Sequence, residues 1–285
     1  MSIPDSLLRG IGTLDPLPIT AQRLIPLLQD EETPFREIVR VIEFDEAVVA
    51  NILRMANSSY YGGHCRIESL QDAVSRLGTT TILNIVLGDY MRRVQIDAPM
   101  YDLTENELWL HGAAASLAVR AIQREAPEAE IPQLASIAGL LHDIGKLILS
   151  RFMKVGLEDI RAKCRADDLT FVEAEHALCG CDHAELGAAL GRLWGFPDTV
   201  VVAIEQHHMS PPTDPATIVD TVVIANLIAK TIGVGLGAEG MDFRIDIRHS
   251  VDRLGIGVNG LMRACAQTAF WVEEFKESAG YRKAA

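Results

Sequence analysis

His142 and Asp143 stand side by side in an apolar stretch, with Gly139, Leu140 and Leu141 before them and Ile144, Gly145, Lys146, Leu147, Ile148 and Leu149 after. Setting an imidazole and a carboxylate among leucines and isoleucines costs several kcal/mol unless each finds a partner. A metal ion is one such partner. Read as helix, the segment puts Lys146 four residues after His142 and three after Asp143, so its ammonium shares their face. Taken alone, the pair fits a core histidine bonded to a neighbouring carboxylate equally well.

His111, His183, His207 and His208 extend the series to six ligand-type positions, spread over four predicted helices or helix ends. Imidazole and carboxylate suit zinc, iron, manganese and related ions, and ligands on different helices can converge inside a bundle. Adjacent side chains on a helix diverge by about 100°. His207 and His208 therefore suit two nearby ions, or one ion and a substrate group, better than a single ion. A two-metal centre could activate water and clamp a phosphoryl group in line. Lys146 fits a substrate phosphate or a salt bridge to Asp143.

Other polar positions read as structural. Cys179, Cys181 and His183 do not have a structural zinc spacing and fit buried thiols beside a helix start. His64, His176 and His249 have no obvious partners. Trp109, Trp194 and Trp271 fit core packing.

The elements that must position these residues read as helices, and in the first ninety-odd residues no alternating pattern is long enough for a sheet. Residues 1–18, with Pro4, Pro16 and Pro18, read as an irregular lead-in. Helices are expected over 19–28, from Thr33 and Pro34 to Ile42, and after an Asp45 cap. Asn57, Ser58, Ser59, Tyr60, Tyr61, Gly62 and Gly63 form a polar break. Helices follow over 69–77 and 79–91, and a Thr104 to Glu107 capping box opens a long one through Ile122. Further helices are expected around 139–149, 154–165, 170–178, 182–194, up to His207 and His208, over 217–232 and over 251–277. A proline-rich loop covers 210–216, and 235–250 is glycine-rich and charged.

The 285 residues are 48% hydrophobic, enough to bury a substantial core. A formal charge of −13 disfavours a nucleic-acid partner held by a broad basic surface. Five scattered cysteines suggest reduced thiols in a cytoplasmic protein, and the N-terminal residues lack a secretion signal. The most apolar window, 221–238, contains Asn226 and Lys230 and fits a core helix better than a membrane span.

The order of these residues resembles the HD superfamily of metal-dependent phosphohydrolases, and more specifically the HDOD proteins, bacterial signalling modules. The resemblance covers roughly 16–235. It rests on Pro16, Leu17 and Pro18; on Asn57 and Ser58 with Tyr61 and Gly62; on Ala73, Val74, Ser75, Arg76, Leu77 and Gly78; and on Trp109 with His111. It continues through Gly139 to Lys146, through Asp182, His183, Glu185 and Gly187, and through Trp194, Gly195, Phe196 and Pro197 to His207 and His208.

The resemblance implies an all-α multi-helix bundle, with an N-terminal helical part (16–100), an HD-like part (101–235) and a C-terminal helical extension (236–285). It implies one or two divalent ions (Fe, Mn, Zn, Ni or Mg) held by His111, His142, Asp143, His183, His207 and His208, with Asp143 and Lys146 as catalytic candidates. The implied function is signal transduction through protein contacts, with kinases or response regulators as partner types. The alternative is a phosphohydrolase or phosphodiesterase acting on a nucleotide or other phosphate ester. The superfamily's closing aspartate is replaced by Asn226 after Ala225, and Asp220 lies about 240° round the helix from it. Met209, Ser210, Pro211 and Pro212 stand where cyclic-dinucleotide hydrolases carry Glu and Gly-Tyr-Pro, which disfavours that activity. With no room for a receiver, kinase or DNA-binding segment, input is expected through a partner or ligand.

Overall fold

The computed structural model describes residues 3–28, 33–58, 61, 66–94, 97–209, 217–241 and 247–278. The fold is all-α: among these residues, β pairing is limited to an isolated bridge between Ala98 and Leu103. The chain runs α1 Asp5–Ile11, α2 Ile19–Leu27, α3 Phe35–Ile42, α4 Glu46–Ala56, α5 Leu70–Leu77, α6 Thr79–Arg93, α7 Glu105–Glu125 and α8 Ala135–Leu141. It continues with α9 Gly145–Phe152, α10 Leu157–Asp167, α11 Phe171–Cys179, α12 His183–Leu193, α13 Asp198–Gln206, α14 Thr217–Thr231, α15 Arg248–Leu254 and α16 Gly257–Ser278.

Local chemistry sets many of these boundaries. Asp45 accepts from the Val48 amide through one carboxylate oxygen and from the Thr20 hydroxyl through the other, capping α4 and tying it to α2. Asn57 ends α4 and holds the following chain, donating to the Leu53 and Ile67 carbonyls while accepting from the Ile67 amide. The expected Ser58 turn contact is made to the Met55 carbonyl, whereas Ser59, Tyr60, Gly62 and Gly63 lie outside the described residues, as does the loop 210–216. The Glu107 carboxylate accepts from the Thr104 amide at the start of α7, as its capping box predicts.

The long α7 is the central post, packed against α8, α14 and α16. Its buried alanines, Ala114, Ala115, Ala118 and Ala121, let neighbouring helices come close, and Val119 and Ile122 fill the space between them. Full burial of a side chain such as Ile122 contributes roughly 1.5–3 kcal/mol relative to exposure. Below it, α9 crosses α12 so closely that a Cβ on Gly145 would stand 1.9 Å from the His183 carbonyl oxygen. Only glycine permits that crossing, which sets His183 beside Asp143.

Five expectations change. The lead-in contains α1, whose Leu7 packs into the core. Pro34 is the N-cap of α3 and not its first residue. The helix expected near residue 154 starts at Leu157, where the Asp159 carboxylate accepts from the Gly156 amide. Residues 251–277 divide into α15 and α16 at Gly255 and Ile256.

The fifth change bears on the site. The helix expected to carry both His142 and Lys146 is split, with His142, Asp143 and Ile144 in a turn between α8 and α9. Ile144 donates to Leu141, Lys146 to Asp143 and Leu147 to Ile144, each bond spanning three residues in the tighter 3₁₀ manner.

Candidate metal centre

Asp143 is the hub. Its carboxylate takes part in two clusters whose candidate ligand atoms all lie within 4.8 Å of one another: Asp143 with His183, His207 and His208, and Asp143 with His111 and His142. All six positions singled out in the sequence meet here, and five of them are buried to 3% exposure or less. His207 and His208 fall in the same cluster, against the expectation that they would diverge. They occupy the turn beyond α13, and their rings approach to 4.0 Å between centroids.

Backbone carbonyls fix the rings. Nδ1 of His142 lies 2.8 Å from the Gly139 carbonyl oxygen, Nδ1 of His207 2.7 Å from that of Ile204, and Nδ1 of His111 2.9 Å from that of Val234. His142 and His207 each donate their single proton there, leaving a lone pair on Nε2, whereas His111 has an oxygen beside both ring nitrogens. Burial lowers His111 and His142 to about 4, and also lowers His207 and, much further, His208, so these rings are neutral.

The Nε2 lone pairs of His142 and His207 point at Asp143 from 3.5 Å, and neither atom has a hydrogen-bond partner. Burial would raise the Asp143 carboxyl, but Lys146 at 2.7 Å and the surrounding histidines together outweigh it and hold the group ionised. Lone pairs and an anion converging in a low-dielectric interior repel one another unless a cation lies among them. By this criterion the residues fit a metal ion. The two carboxylate oxygens differ: Oδ2 is engaged by Lys146, while Oδ1 has no hydrogen-bond partner and faces His183 and His207.

Four further residues complete the site, and the sequence reading missed them. Glu175 on α11 accepts from both the Nδ1 and the backbone amide of His183, at 2.7 and 2.9 Å, and Tyr101 donates its hydroxyl to the other carboxylate oxygen. Burial pushes the His183 ring down, but Glu175, by its charge and its hydrogen bond, together with Asp143 lifts it to about 10. A carboxylate behind a histidine orients a metal ligand and raises its basicity.

Glu239 comes from the glycine-rich segment after α14. Its carboxylate lies 2.5 Å from Lys146 Nζ, 2.9 Å from Lys230 Nζ and 3.5 Å from His208 Nε2, which covers that side of the cluster. In the metal-free cluster His183 is protonated, and an ion bound at its Nε2 would have to displace that proton. The segment is brought in over α7. Gly235, at φ 56°, sits where a Cβ would be 2.7 Å from that of His111, and Ala238 donates its amide to the Tyr101 carbonyl.

Asn226 presents Oδ1 3.1 Å from His111 Nε2, so it reaches the cluster as the superfamily aspartate would. Asp220 does not: it is engaged by Ser250 and by both ends of the Arg253 guanidinium, at 2.6–2.7 Å, and fastens α15 to α14. Cys179 and Cys181 are buried thiols that burial pushes up to about 12, and no cysteine joins a metal-type cluster among the described residues. His176 pairs with Glu185 and His249 is exposed, while His64 lies outside the described residues.

Among the described residues, no helix is long and apolar enough to cross a membrane. The architecture is shared with solved proteins. A candidate signal transduction protein from Marinobacter aquaeolei VT8 superposes with a TM-score of 0.68 at 24% identity, over 97% of this chain and 64% of that one. An HDOD domain protein of unknown function from Geobacter sulfurreducens gives 0.62 at 23%, over 98% and 90%. A candidate phosphohydrolase from Shewanella amazonensis SB2B gives 0.62 at 22%, over 93% and 98%. Likenesses of this degree show the fold alone.

An uncharacterised protein of Treponema pallidum (strain Nichols) is 25% identical over 225 residues, 76% of this chain. The chain spans only 43% of that relative's length. Residues 14–210, from the link between α1 and α2 to just past the paired histidines, match the HDOD domain, and the chain belongs to the HDOD family.

Proposed function

We infer that this protein is a bacterial, cytoplasmic signalling module that acts through protein contacts, with a metal centre that is structural or regulatory. One observation carries the reading: the cluster is closed. Glu239 bridges Lys146 and Lys230 across it, and its atoms are almost wholly withdrawn from solvent. A phosphate ester needs an open coordination position and the cationic groups that Glu239 engages. The ion would be held by Asp143, His183, His207 and His208, where Oδ1 of Asp143 has no other hydrogen-bond partner.

Kinases or response regulators are the partner types this reading suggests. Support for protein contacts comes from α16, where Val258 and Met262, one turn apart, and Phe270, two turns further on, are 62–72% exposed. Exposed apolar stripes of that kind serve interfaces.

The second reading, a metal-dependent phosphohydrolase acting on a nucleotide or other phosphate ester, draws on Asp143 lying between two clusters as a bridging carboxylate would. In that case Asp143 and Lys146 would contact the reacting groups. Metal analysis of protein purified without chelator, followed by a screen of nucleotides and phosphodiesters, separates the two. Metal occupancy without turnover is expected. Turnover abolished by Asp143→Ala would overturn the signalling reading in favour of hydrolysis.

A further inference from the structure

A second site lies on the opposite side of α7 from the metal cluster. Between α4, α5 and α6 on one wall and α7, α8 and α16 on the other is a cleft of about 610 Å³, within the range of small-molecule sites. In a chain of net charge −13, its ionisable lining is four arginines, Arg54, Arg76, Arg92 and Arg120, against one acid, Asp89. Each arginine comes from a different helix, so the fold itself gathers this positive charge.

The remaining wall is mixed, as a site for a partly aromatic ligand should be. Trp109, Tyr61 and Phe275 supply rings, with Trp109 packed on Phe275 at 5.4 Å and the Arg120 guanidinium lying 4.8 Å over Tyr61. Two buried polar atoms of cleft residues lack a hydrogen-bond partner: the Trp109 indole nitrogen, a donor, and Asn84 Oδ1, an acceptor. Buried groups of this kind are normally satisfied, so two residues of this wall carry polar groups that the protein itself leaves unpaired. Guanidinium groups match phosphate bidentately, and rings with amide groups match a base.

We propose that this cleft binds a nucleoside polyphosphate, its phosphates against the arginines and its base against Trp109 and Tyr61. The site is distinct from the metal cluster, although the two share helices. Trp109 and His111 are two residues apart on α7, about 200° round the helix, and Leu140 lines the cleft while His142 reaches the metal cluster.

The test is calorimetric titration of the full chain with ATP, GTP, inorganic pyrophosphate and adenosine, with tryptophan fluorescence in parallel. At least one triphosphate should bind in saturable one-to-one fashion and quench fluorescence, with pyrophosphate weaker and adenosine weaker still. The quench should disappear in Trp109→Phe. Arg54 and Arg92 are exposed, so an Arg54→Gln/Arg92→Gln variant should fold and lose about tenfold or more in affinity. His208→Ala, which alters the metal cluster, should bind triphosphate normally. Absence of triphosphate binding, binding indifferent to the arginine variant, or binding lost in His208→Ala would each overturn the proposal. Saturable binding of a polyglutamate peptide in place of any triphosphate would also overturn it, pointing to an acidic protein segment.

Discussion

Glu239 lies 2.5 Å from Lys146, joining a glycine-rich segment after α14 to the first turn of α9, just past His142 and Asp143. Both groups are buried, and Lys230 reaches the same carboxylate. Glu239→Gln would leave two buried ammonium groups short of a counter-charge. Breaking such a pair costs about 3–5 kcal/mol. Urea denaturation should show a loss of that order; a loss within about 0.5 kcal/mol, the size of a surface change, would mean that the carboxylate is not held against the lysines.

The two clusters around Asp143 are not equivalent, and metal content can tell them apart. His208→Ala should remove the ion from the cluster in which Asp143 Oδ1 is open, whereas His111→Ala should leave it bound. Metal addition to stripped wild-type protein should raise Tm, because the ion binds the folded chain. Elemental analysis of the three proteins decides the matter, and an ion lost in His111→Ala but kept in His208→Ala would contradict it.

Glu175 orients His183 without touching the ion position itself. Glu175→Gln should weaken metal affinity about 10–100-fold, as expected when the carboxylate behind a histidine ligand is neutralised. Competition with a chelating indicator dye measures this. Unchanged affinity would reduce Glu175 to a packing role.

Acid and base should both destabilise the metal-free protein. His111 and His142 are held at about 4 against an ordinary 6.5, so below 6.5 the unfolded chain binds protons that the folded one refuses. Stability therefore falls as pH drops from 6.5 through about 4, and Asp143 and Glu239, held below the usual carboxylate range, add to that loss at lower pH. His183 works oppositely: raised to about 10, it stabilises fully below 6.5 and loses that contribution as pH climbs through 10. Denaturation midpoints in chelator should peak near neutrality, and a steady rise toward alkaline pH would contradict these assignments.

Asp220 is a structural counterpart to Asp143. Asp220→Asn should destabilise the fold by about 3 kcal/mol, because its buried carboxylate holds Arg253 and Ser250. Metal content should be unchanged, and a lost ion would place Asp220 in the ligand set.

What the sequence made legible was whatever depended on residue order. The caps at Asp45 and Thr104 are local patterns and stand where those patterns imply, and the six ligand-type positions come together in the fold, although His207 and His208 share a cluster and the helix through His142 is broken. Glu239, Lys230, Glu175 and Tyr101 were hidden because no spacing relates them to the histidines. The chain bends at Gly235 and hangs from Tyr101, contacts that exist only once α7 is in place. The tightened turn at His142 was invisible for a similar reason, since its cause includes the crossing of Gly145 over His183. The cleft arginines were dispersed over four helices and diluted by an acidic composition.

Tyr101 performs two jobs with opposite ends. Its hydroxyl braces Glu175 behind His183, and its carbonyl pins Ala238, one residue before Glu239. Peeling the cover away pulls on the same tyrosine that steadies the ligand. Uncovering the cluster and keeping an ion in it would thus be set in mechanical opposition: anything able to drag the 235–241 segment aside would also slacken the grip beneath it.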